Sequence, residues 1–144
     1  MKILVCTDGS KMSMKATAEA VKIVNGCSVY EVDILHVYSV PHRVHEGYTL
    51  SMVEEYKILE KEKKEQGMRI LAQAAKVFDD SGIPVNSILE DGHPAETIIK
   101  QAAHGGYDMV VVGSRGLGGL KKMLLGSVSQ AVVQEVSTNV LIVK

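Results

Sequence analysis

A glycine-rich segment that ends in a serine has the residue types best suited to chemistry in this chain. It spans residues 113–127, follows an apolar run and leads directly into a helical pattern. Glycines lack the Cβ that keeps backbone N–H groups away from an anion, and the N-terminus of a following helix attracts negative charge. The segment therefore predicts a phosphate-binding junction between a strand and a helix, as in a nucleotide-binding protein.

Two common phosphate-binding motifs fail on spacing. A Walker A loop needs a lysine directly after its second glycine, but Gly119 follows Gly118 here. A dinucleotide fingerprint that begins at Gly116 and Gly118 would need a third glycine where Lys121 stands. The remaining pattern is Gly-x2-Gly-x9-Gly-Ser, formed by Gly113, Gly116, Gly126 and Ser127. Glycines that only turn the chain are the alternative interpretation.

Other kinds of chemistry find little support in the residue types. The five histidines are scattered, and no two have metal-ligand spacing within one helix, so we expect no metal site. Ser127 has no histidine base in its sequence context and no nucleophile-elbow pattern, which argues against covalent catalysis. Cys6 and Cys27 are the only cysteines, and they fit a reducing compartment better than a disulfide framework.

Composition indicates an ordinary globular domain. The chain has 144 residues, 46% hydrophobic and 23% charged, with a formal net charge of −1. A domain of this size buries roughly 70% of its unfolded surface, so residues 1–144 are expected to form one domain. The apolar run before Asp8 is too short for a signal-peptide core, and no later run approaches a transmembrane span. We expect a cytoplasmic protein with no membrane or nucleic-acid partner.

Hydrophobic patterning predicts strands that alternate with helices. The predicted strands are residues 3–6, 29–38, 85–89, 108–112 and 139–143. The predicted helices follow Ser10 as N-cap and then cover residues 50–81, 94–104 and 128–136, with a loop at 40–47. This alternation predicts a doubly wound α/β fold, in which helices cover both faces of a parallel sheet.

The long predicted helix has two unlike halves. Residues 60–65 are all charged and must face water, whereas Met68, Leu71, Ala75 and Phe78 form an apolar stripe. We therefore expect the later half to pack on the core. The earlier half, around residues 54–65, either projects from the body or is mobile, and its order is left open.

Several motifs occur together in a fixed sequence order. Besides the glycine pattern, they are Thr7-Asp8-Gly9-Ser10, His36-Val37, Gly92-x-Pro94-Ala95-Glu96-x-x-Ile99 and Val140-Leu141-Ile142-Val143. With these motifs the chain resembles the universal stress protein family, in its ATP-binding subgroup, over nearly its whole length. One departure is Asn139, where the family commonly has a proline.

The resemblance implies a Rossmann-like, adenine nucleotide alpha hydrolase-like sheet of five strands in the order 3-2-1-4-5. In that order the first and fourth strands are neighbours whose connections leave in opposite directions, and ligands bind at such a switch point. A crevice is then expected between Thr7, Asp8 and Gly113.

Residue chemistry assigns parts of a nucleotide to this crevice. The Asp8 carboxylate suits ribose hydroxyls, and the backbone of Gly113 and Gly116 with the Ser127 hydroxyl suits phosphate oxygens. The alternative, which stays open, is that Asp8 serves only the local turn or helix cap. The predicted ligand is ATP or another adenine nucleotide, with Mg²⁺ held through its phosphates.

The resemblance implies further ligand contacts. Val37 and Val112 would flank the adenine, Thr7 would line the same end, and Val128 would offer its backbone N–H beside Ser127. Gly126 completes the motif. Positive charge would come from Arg115, and Lys121 and Lys122 either add to it or form a solvated helical face.

The last predicted strand would lie at an edge of the sheet. Its residues Val140, Leu141, Ile142 and Val143 form an apolar run with no charge or proline to protect the edge. Pairing of this strand with its copy in a second chain would cover it, and the resemblance also implies such a homodimer.

Together these features favour a cytoplasmic, dimeric, ATP-binding regulatory protein of the stress response, which binds nucleotide without efficient chemistry. One alternative is an enzyme, a slow ATPase or a phosphoryl-transfer activity, although no residue can be named to orient the attacking group. Another alternative is a dimeric scaffold that ignores nucleotide. The sequence identifies no downstream protein partner.

Overall fold

Strands and helices alternate along the chain in this computed structural model, which describes residues 1–41, 49–118 and 124–144. The strands are β1 (Lys2–Cys6), β2 (Glu31–Tyr38), β3 (Val85–Asp91), β4 (Met109–Gly113) and β5 (Asn139–Val143). The helices are α1 (Lys11–Gly26), α2 (Leu50–Lys76), α3 (Pro94–His104) and α4 (Ser127–Glu135). Lys121, Lys122 and most of the predicted loop at 40–47 lie outside the described residues.

The five strands form one parallel sheet in the order β3-β2-β1-β4-β5, which confirms the predicted fold class. β1 is the central strand, and Ile3, Leu4 and Val5 are completely buried because helices cover both faces. Its neighbours β2 and β4 lie on opposite sides, so the chain reverses direction of winding at β1. The carboxyl ends of β1 and β4 therefore meet at the switch point of the sheet.

Alternate residues of the strands face two separate cores. On one face α1 and α2, with Phe78 just after α2, pack against the sheet. The contacting residues are Ala16, Ala20, Leu71, Ala74 and Phe78 on one side and Ile3, Val5, Val32, Ile34 and Val111 on the other. On the other face α3 and α4 pack against it, through Ile98, Ala102 and Val132 on Leu4, Leu35, Val110 and Val112. Both cores end near the same edge, where β1 and β4 terminate.

α2 shows the predicted division into two halves. Its buried residues are Gly67, Leu71 and Ala74, all in the second half, whereas Leu50 is 86% exposed and Ile58 is 60% exposed. The first half therefore makes little contact with the core. The helix is shorter than predicted, since it ends at Lys76 and a 3-10 turn, Asp79–Ser81, replaces the expected last turns.

Smaller differences between the predicted and the observed ends of strands and helices also have local causes. β2 begins at Glu31 and not at residue 29, because the preceding backbone bonds to Met1 O and Cys27 O outside the ladder. β3 continues two residues past its predicted end, since it pairs with β2 out to Asp91. α4 begins at Ser127, one residue earlier than predicted.

Candidate functional site

A cavity of about 370 Å³ lies beyond the carboxyl ends of β1 and β4. Its volume falls within the range typical of small-molecule sites. All ten residues predicted from the sequence line it: Thr7, Asp8, Val37, Val112, Gly113, Arg115, Gly116, Gly126, Ser127 and Val128. The sheet thus brings together residues that lie more than a hundred positions apart in the chain.

Eight further residues among those described line the cavity, and the sequence motifs did not assign them to the site. They are Cys6, Ser13, Leu35, Pro94, Ile98, Leu117, Gly118 and Ser129. Cys6 could have been predicted because it precedes Thr7 and Asp8. Leu117 and Gly118 could have been predicted because they lie within the glycine segment. Ile98 reads as an ordinary core residue of α3, and only the three-dimensional structure shows that it reaches the cavity.

The lining divides into an apolar part and a polar part. Cys6, Leu35, Val37, Pro94, Ile98, Val112 and Val128 form the apolar part. Burial raises the pKa of the Cys6 thiol, so this cysteine acts as an apolar surface and not as a nucleophile. The polar part contains Asp8 and the glycine segment. Such a cavity suits a ligand with one flat apolar end and one anionic end.

The turn after β1 has a fixed geometry. Ser10 is the N-cap of α1, as predicted, and its hydroxyl accepts a hydrogen bond from Ser13 N at 3.2 Å. The Ser13 hydroxyl lies 3.1 Å from Thr7 Oγ1 and 3.0 Å from Ser10 O. Gly9 adopts φ +76°, which favours glycine. Asp8 is thereby held at the rim of the cavity.

The Asp8 carboxylate bonds to two separate parts of the chain. Oδ1 accepts from Ser10 N at 2.9 Å, and Oδ2 accepts from Leu117 N at 3.0 Å. Burial by itself raises the pKa of Asp8, but hydrogen bonds from Ser10, Ser13 and Leu117 outweigh it, so the pKa lies below its ordinary value. The carboxylate is therefore ionised at neutral pH and joins the β1 turn to the glycine segment.

The glycines of the motif differ in what surrounds them. A Cβ on Gly113 would lie 2.9 Å from the carbonyl carbon of Met12, and a Cβ on Gly116 would overlap the Asp8 carboxylate. A Cβ on Gly126 would meet nothing closer than Arg115 Cα at 3.5 Å, with Gly116 N at 3.8 Å. A Cβ therefore fits at Gly126 in ordinary van der Waals contact with the backbone of residues 114–116, at a position that lines the cavity.

The two ends of the glycine segment are tied together below the cavity. Gly126 N donates to Ser114 O at 2.8 Å, and the Ser129 hydroxyl donates to the same oxygen at 2.9 Å. Ser114 N in turn donates to Val143 O at 2.7 Å, which connects the segment to β5. The start of α4 is thus fixed relative to the end of β4.

Hydrogen-bond donors at the polar end lack acceptors within the part of the chain that the structure describes. The Nε of Arg115 is buried and has no partner among the described residues. Gly126 is the N-cap of α4 and offers no side chain to the N–H groups of the first helical turn, where Ser127 and Val128 lie. Unpaired N–H groups, a helix N-terminus and a guanidinium together form a site for an anion such as phosphate.

Residues 1–41, 49–118 and 124–144 contain neither a candidate metal cluster nor a candidate membrane-spanning helix. Within those ranges, no three histidine, cysteine, aspartate or glutamate side chains lie close enough together to hold a metal ion. None of the helices described there combines the length and the apolar character needed to cross a membrane.

The parallel sheet and the cavity at its switch point define a Rossmann-like α/β domain. The chain belongs to the universal stress protein family, because the sequence profile described as "Universal stress protein family" matches residues 1–144. This finding confirms the resemblance seen in the sequence motifs.

Individual relatives agree with this assignment. The chain is 38% identical to universal stress protein YxiE of Bacillus subtilis over 146 residues, covering 99% of this chain and 98% of that protein. The solved structure of protein MJ0577 of Methanocaldococcus jannaschii superimposes with a TM-score of 0.83 at 31% identity, covering 99% of this chain and 94% of that one. A universal stress protein solved in complex with cAMP gives a TM-score of 0.73 at 25% identity, covering 100% and 97%.

Proposed function

We propose that this protein binds an adenine nucleotide, with ATP as the leading candidate, in the cavity between β1 and β4. The observation that carries the proposal is the group of unused donors at the polar end. Among the described residues, the buried Arg115 Nε has no partner and the N–H groups at the start of α4 have no side-chain cap, and both line the cavity beside Gly126. Because unpaired buried donors are costly, an anionic ligand that accepts from them would be bound favourably.

The apolar part of the cavity supports the adenine end of the proposal. Val37 at the end of β2 and Val112 at the end of β4 both line the cavity, and they would flank a planar base. Thr7 and Asp8 lie between this part and the glycine segment, where the sugar of a nucleotide would be. A related protein solved with cAMP also supports an adenine ligand. Mg²⁺ would be held through the phosphate oxygens of ATP.

The lining favours binding over turnover. Among the described residues that line the cavity, Asp8 is the only carboxylate, and both of its oxygens already accept hydrogen bonds. Histidine is absent from those same residues. A hydrolase needs a group that orients water or accepts its proton, so we infer a regulatory protein of the stress response, acting in the cytoplasm.

The free edge of β5 supports a homodimer. β5 is an edge strand, and Val140, Leu141 and Ile142 are only partly buried although all are apolar. The test is the Val140→Lys variant, which should be monomeric by light scattering if β5 pairs with β5 of a second copy. Val133→Lys is the matched control, because Val133 is also an apolar residue, 46% exposed, but belongs to α4 and not to the edge strand. An unchanged mass for both variants would contradict the β5 interface.

Isothermal titration tests the nucleotide site. Folded protein titrated with ATP and Mg²⁺ should release heat with micromolar affinity, equivalent to about −8 kcal/mol. Inorganic triphosphate and adenosine, titrated separately, should each bind more weakly, because each would fill only one part of the cavity. Absence of any heat with ATP, AMP and ADP would instead favour the nucleotide-independent scaffold.

A further inference from the structure

We propose that Asp8 is a positioning residue, which clamps the backbone at Gly116 and Leu117 beside the cavity and so acts on the phosphate end of a ligand and not chiefly on its ribose. The inference rests on the proposed nucleotide site for its ligand tests. The clamp itself is a property of the unliganded protein, and it has a test of its own.

The first argument is the pair of contacts that the carboxylate makes. One oxygen bonds to Ser10 N at the start of α1, and the other bonds to Leu117 N, 109 positions away in the chain. Each contact is a charge-assisted hydrogen bond to a backbone amide, which is among the stronger kinds in proteins. A ribose hydroxyl would have to donate to carboxylate oxygens of Asp8 that already accept hydrogen bonds from the protein.

The second argument is that two motif glycines make room for the clamp. A Cβ on Gly116 would overlap Asp8 Oδ2, so any side chain there would push the carboxylate away from Leu117 N. A Cβ on Gly113 would lie 3.0 Å from Ser13 N, so Gly113 allows the first turn of α1 to approach β4. Gly113 and Gly116 therefore allow α1 and Asp8 to pack closely against the glycine segment. Gly126 has no such close protein neighbour, and we assign it to ligand contact.

The third argument is that few contacts to the described residues hold this stretch in place. Leu117 is 75% exposed, and no described atom outside its neighbours lies within 4 Å of where a Cβ on Gly118 would be. Among the residues that the structure describes, Leu117 therefore provides no buried apolar anchor. The same stretch carries Arg115, whose buried Nε has no hydrogen-bond partner in the described part of the chain. Loss of the clamp should let this part of the segment move away from the cavity and should misplace the phosphate-facing donors.

The decisive test needs no nucleotide. Amide hydrogen exchange is measured by NMR on wild type, Asp8→Ala and Gly116→Ala. Both variants should raise exchange at Leu117 by about tenfold, as expected for one lost hydrogen bond to a charged group. Gly126→Ala should leave Leu117 unchanged. Unchanged exchange in Asp8→Ala would overturn the clamp, whatever nucleotide does.

A matched control removes an equivalent contact elsewhere. Asp108 Oδ2 accepts from Lys2 N at 2.7 Å, which is also a carboxylate on a backbone amide, but at the amino end of the sheet. Asp108→Ala should raise exchange near Lys2 and leave Leu117 as in wild type. If Asp108→Ala raises exchange at Leu117 equally, the effect reports general loosening of the fold and the clamp is rejected.

Ligand titration separates the clamp from a ribose contact. For Asp8→Ala, affinity for ATP should fall about 10- to 100-fold, and affinity for adenosine should fall less than about threefold. Gly116→Ala should show the same split, although glycine at that position touches no ribose in either interpretation. Equal losses for adenosine and ATP would assign Asp8 to the ribose and overturn the proposal. If wild type binds no nucleotide, the proposed function fails, while the exchange result still decides the clamp.

Discussion

The two ends of the sheet use similar polar residues in opposite ways. At the amino end, Tyr107 Oη donates to Asp33 Oδ2 at 2.6 Å, and Lys2 Nζ lies 3.2 Å from that oxygen. Asn86 Nδ2 donates to Asp33 Oδ1 at 2.8 Å, and Lys2 also pairs with Glu31 at 3.0 Å. At the carboxyl end, Arg115 Nε is left without a partner in the described part of the chain.

The difference shows which polar groups serve the fold and which are left for a ligand. In the amino-end network, which consists of Lys2, Glu31, Asp33, Asn86 and Tyr107, every member contacts another member. It joins β1, β2 and β3 with Tyr107, two residues before β4, so it helps to fix their register. The carboxyl end has donors around the cavity that no described residue satisfies, so a ligand that supplies acceptors adds to the stability of this end.

The largest expected effect is on stability, from Asp33→Ala. This change leaves Tyr107 and Lys2 without their buried acceptor, and losing one partner of such a group costs about 3 kcal/mol. Urea unfolding should show this loss, while ATP affinity of the folded variant stays within about twofold of wild type. Glu31→Ala is the control, because that carboxylate is more exposed and should cost about 1 kcal/mol or less. Loss of ATP binding in Asp33→Ala would contradict the independence of the two ends.

Gly126→Val should have the opposite effect to Asp33→Ala: a large loss of ATP affinity with a small loss of stability. The added side chain would fill the space beside the Gly116 amide, and ATP affinity should fall about 100-fold, or about 2.7 kcal/mol. Stability should fall by only about 1 kcal/mol, because the change replaces a glycine N-cap with a poorer one. Titration calorimetry and urea unfolding on the same sample check both numbers. Wild-type affinity in this variant would show that the ligand does not use the space at Gly126.

The stability of the protein in acid should depend on Asp33, in the network at the amino end of the sheet. Burial by itself raises the pKa of Asp33, but hydrogen bonds from Tyr107, Asn86 and Lys2 outweigh it, so the pKa lies below its ordinary value. Burial and the bond to Asp33 raise the pKa of Tyr107 to about 12, so the phenol stays a donor at neutral pH. A lowered carboxyl pKa stabilises the fold above the unfolded value of about 3.9, and this stability is lost as the pH falls through the folded value.

Tyr107→Phe tests this pH dependence. Removing one donor to the buried carboxylate should cost about 1–2 kcal/mol at pH 7. The loss should shrink as the pH falls below about 4, because the wild-type protein loses the same contribution there. Urea unfolding at a series of pH values between about 3 and 7 provides the comparison. A difference between variant and wild type that stays constant with pH would show that Tyr107 does not stabilise ionised Asp33.

The sequence predicted the carboxyl end better than the amino end. Alternating strands and helices, with the motif resemblance, gave the strand order, and the site followed because parallel strands bring their carboxyl ends to one edge. The amino-end network was missed because Asp33 and Tyr107 lie 74 positions apart. A signal was present, since Asp33 interrupts the apolar strand β2 and a charge there requires partners.

The glycines show where spacing alone reaches its limit. The pattern predicted that Gly113 and Gly116 let a phosphate approach the backbone. The structure places protein groups, from α1 and from Asp8, at the positions where their side chains would be. Spacing reveals that a side chain is excluded, but it does not reveal what excludes it. Only the packing of α1 against β4 shows that difference.

The smallest expected effect is at Gly118, which lines the cavity and whose Cβ would meet no atom of the described residues outside its neighbours within 4 Å. Its φ is not in the left-handed region, so alanine fits without backbone strain. Gly118→Ala should change stability and ATP affinity by less than about 0.5 kcal/mol each, with a slight gain possible from a less flexible unfolded chain. Urea unfolding and titration beside Gly116→Ala give the contrast within one segment. If Gly118→Ala weakens ATP as much as Gly126→Val, bound phosphate must extend along the segment to Gly118, and the division between glycines that face protein and glycines that face ligand must be redrawn.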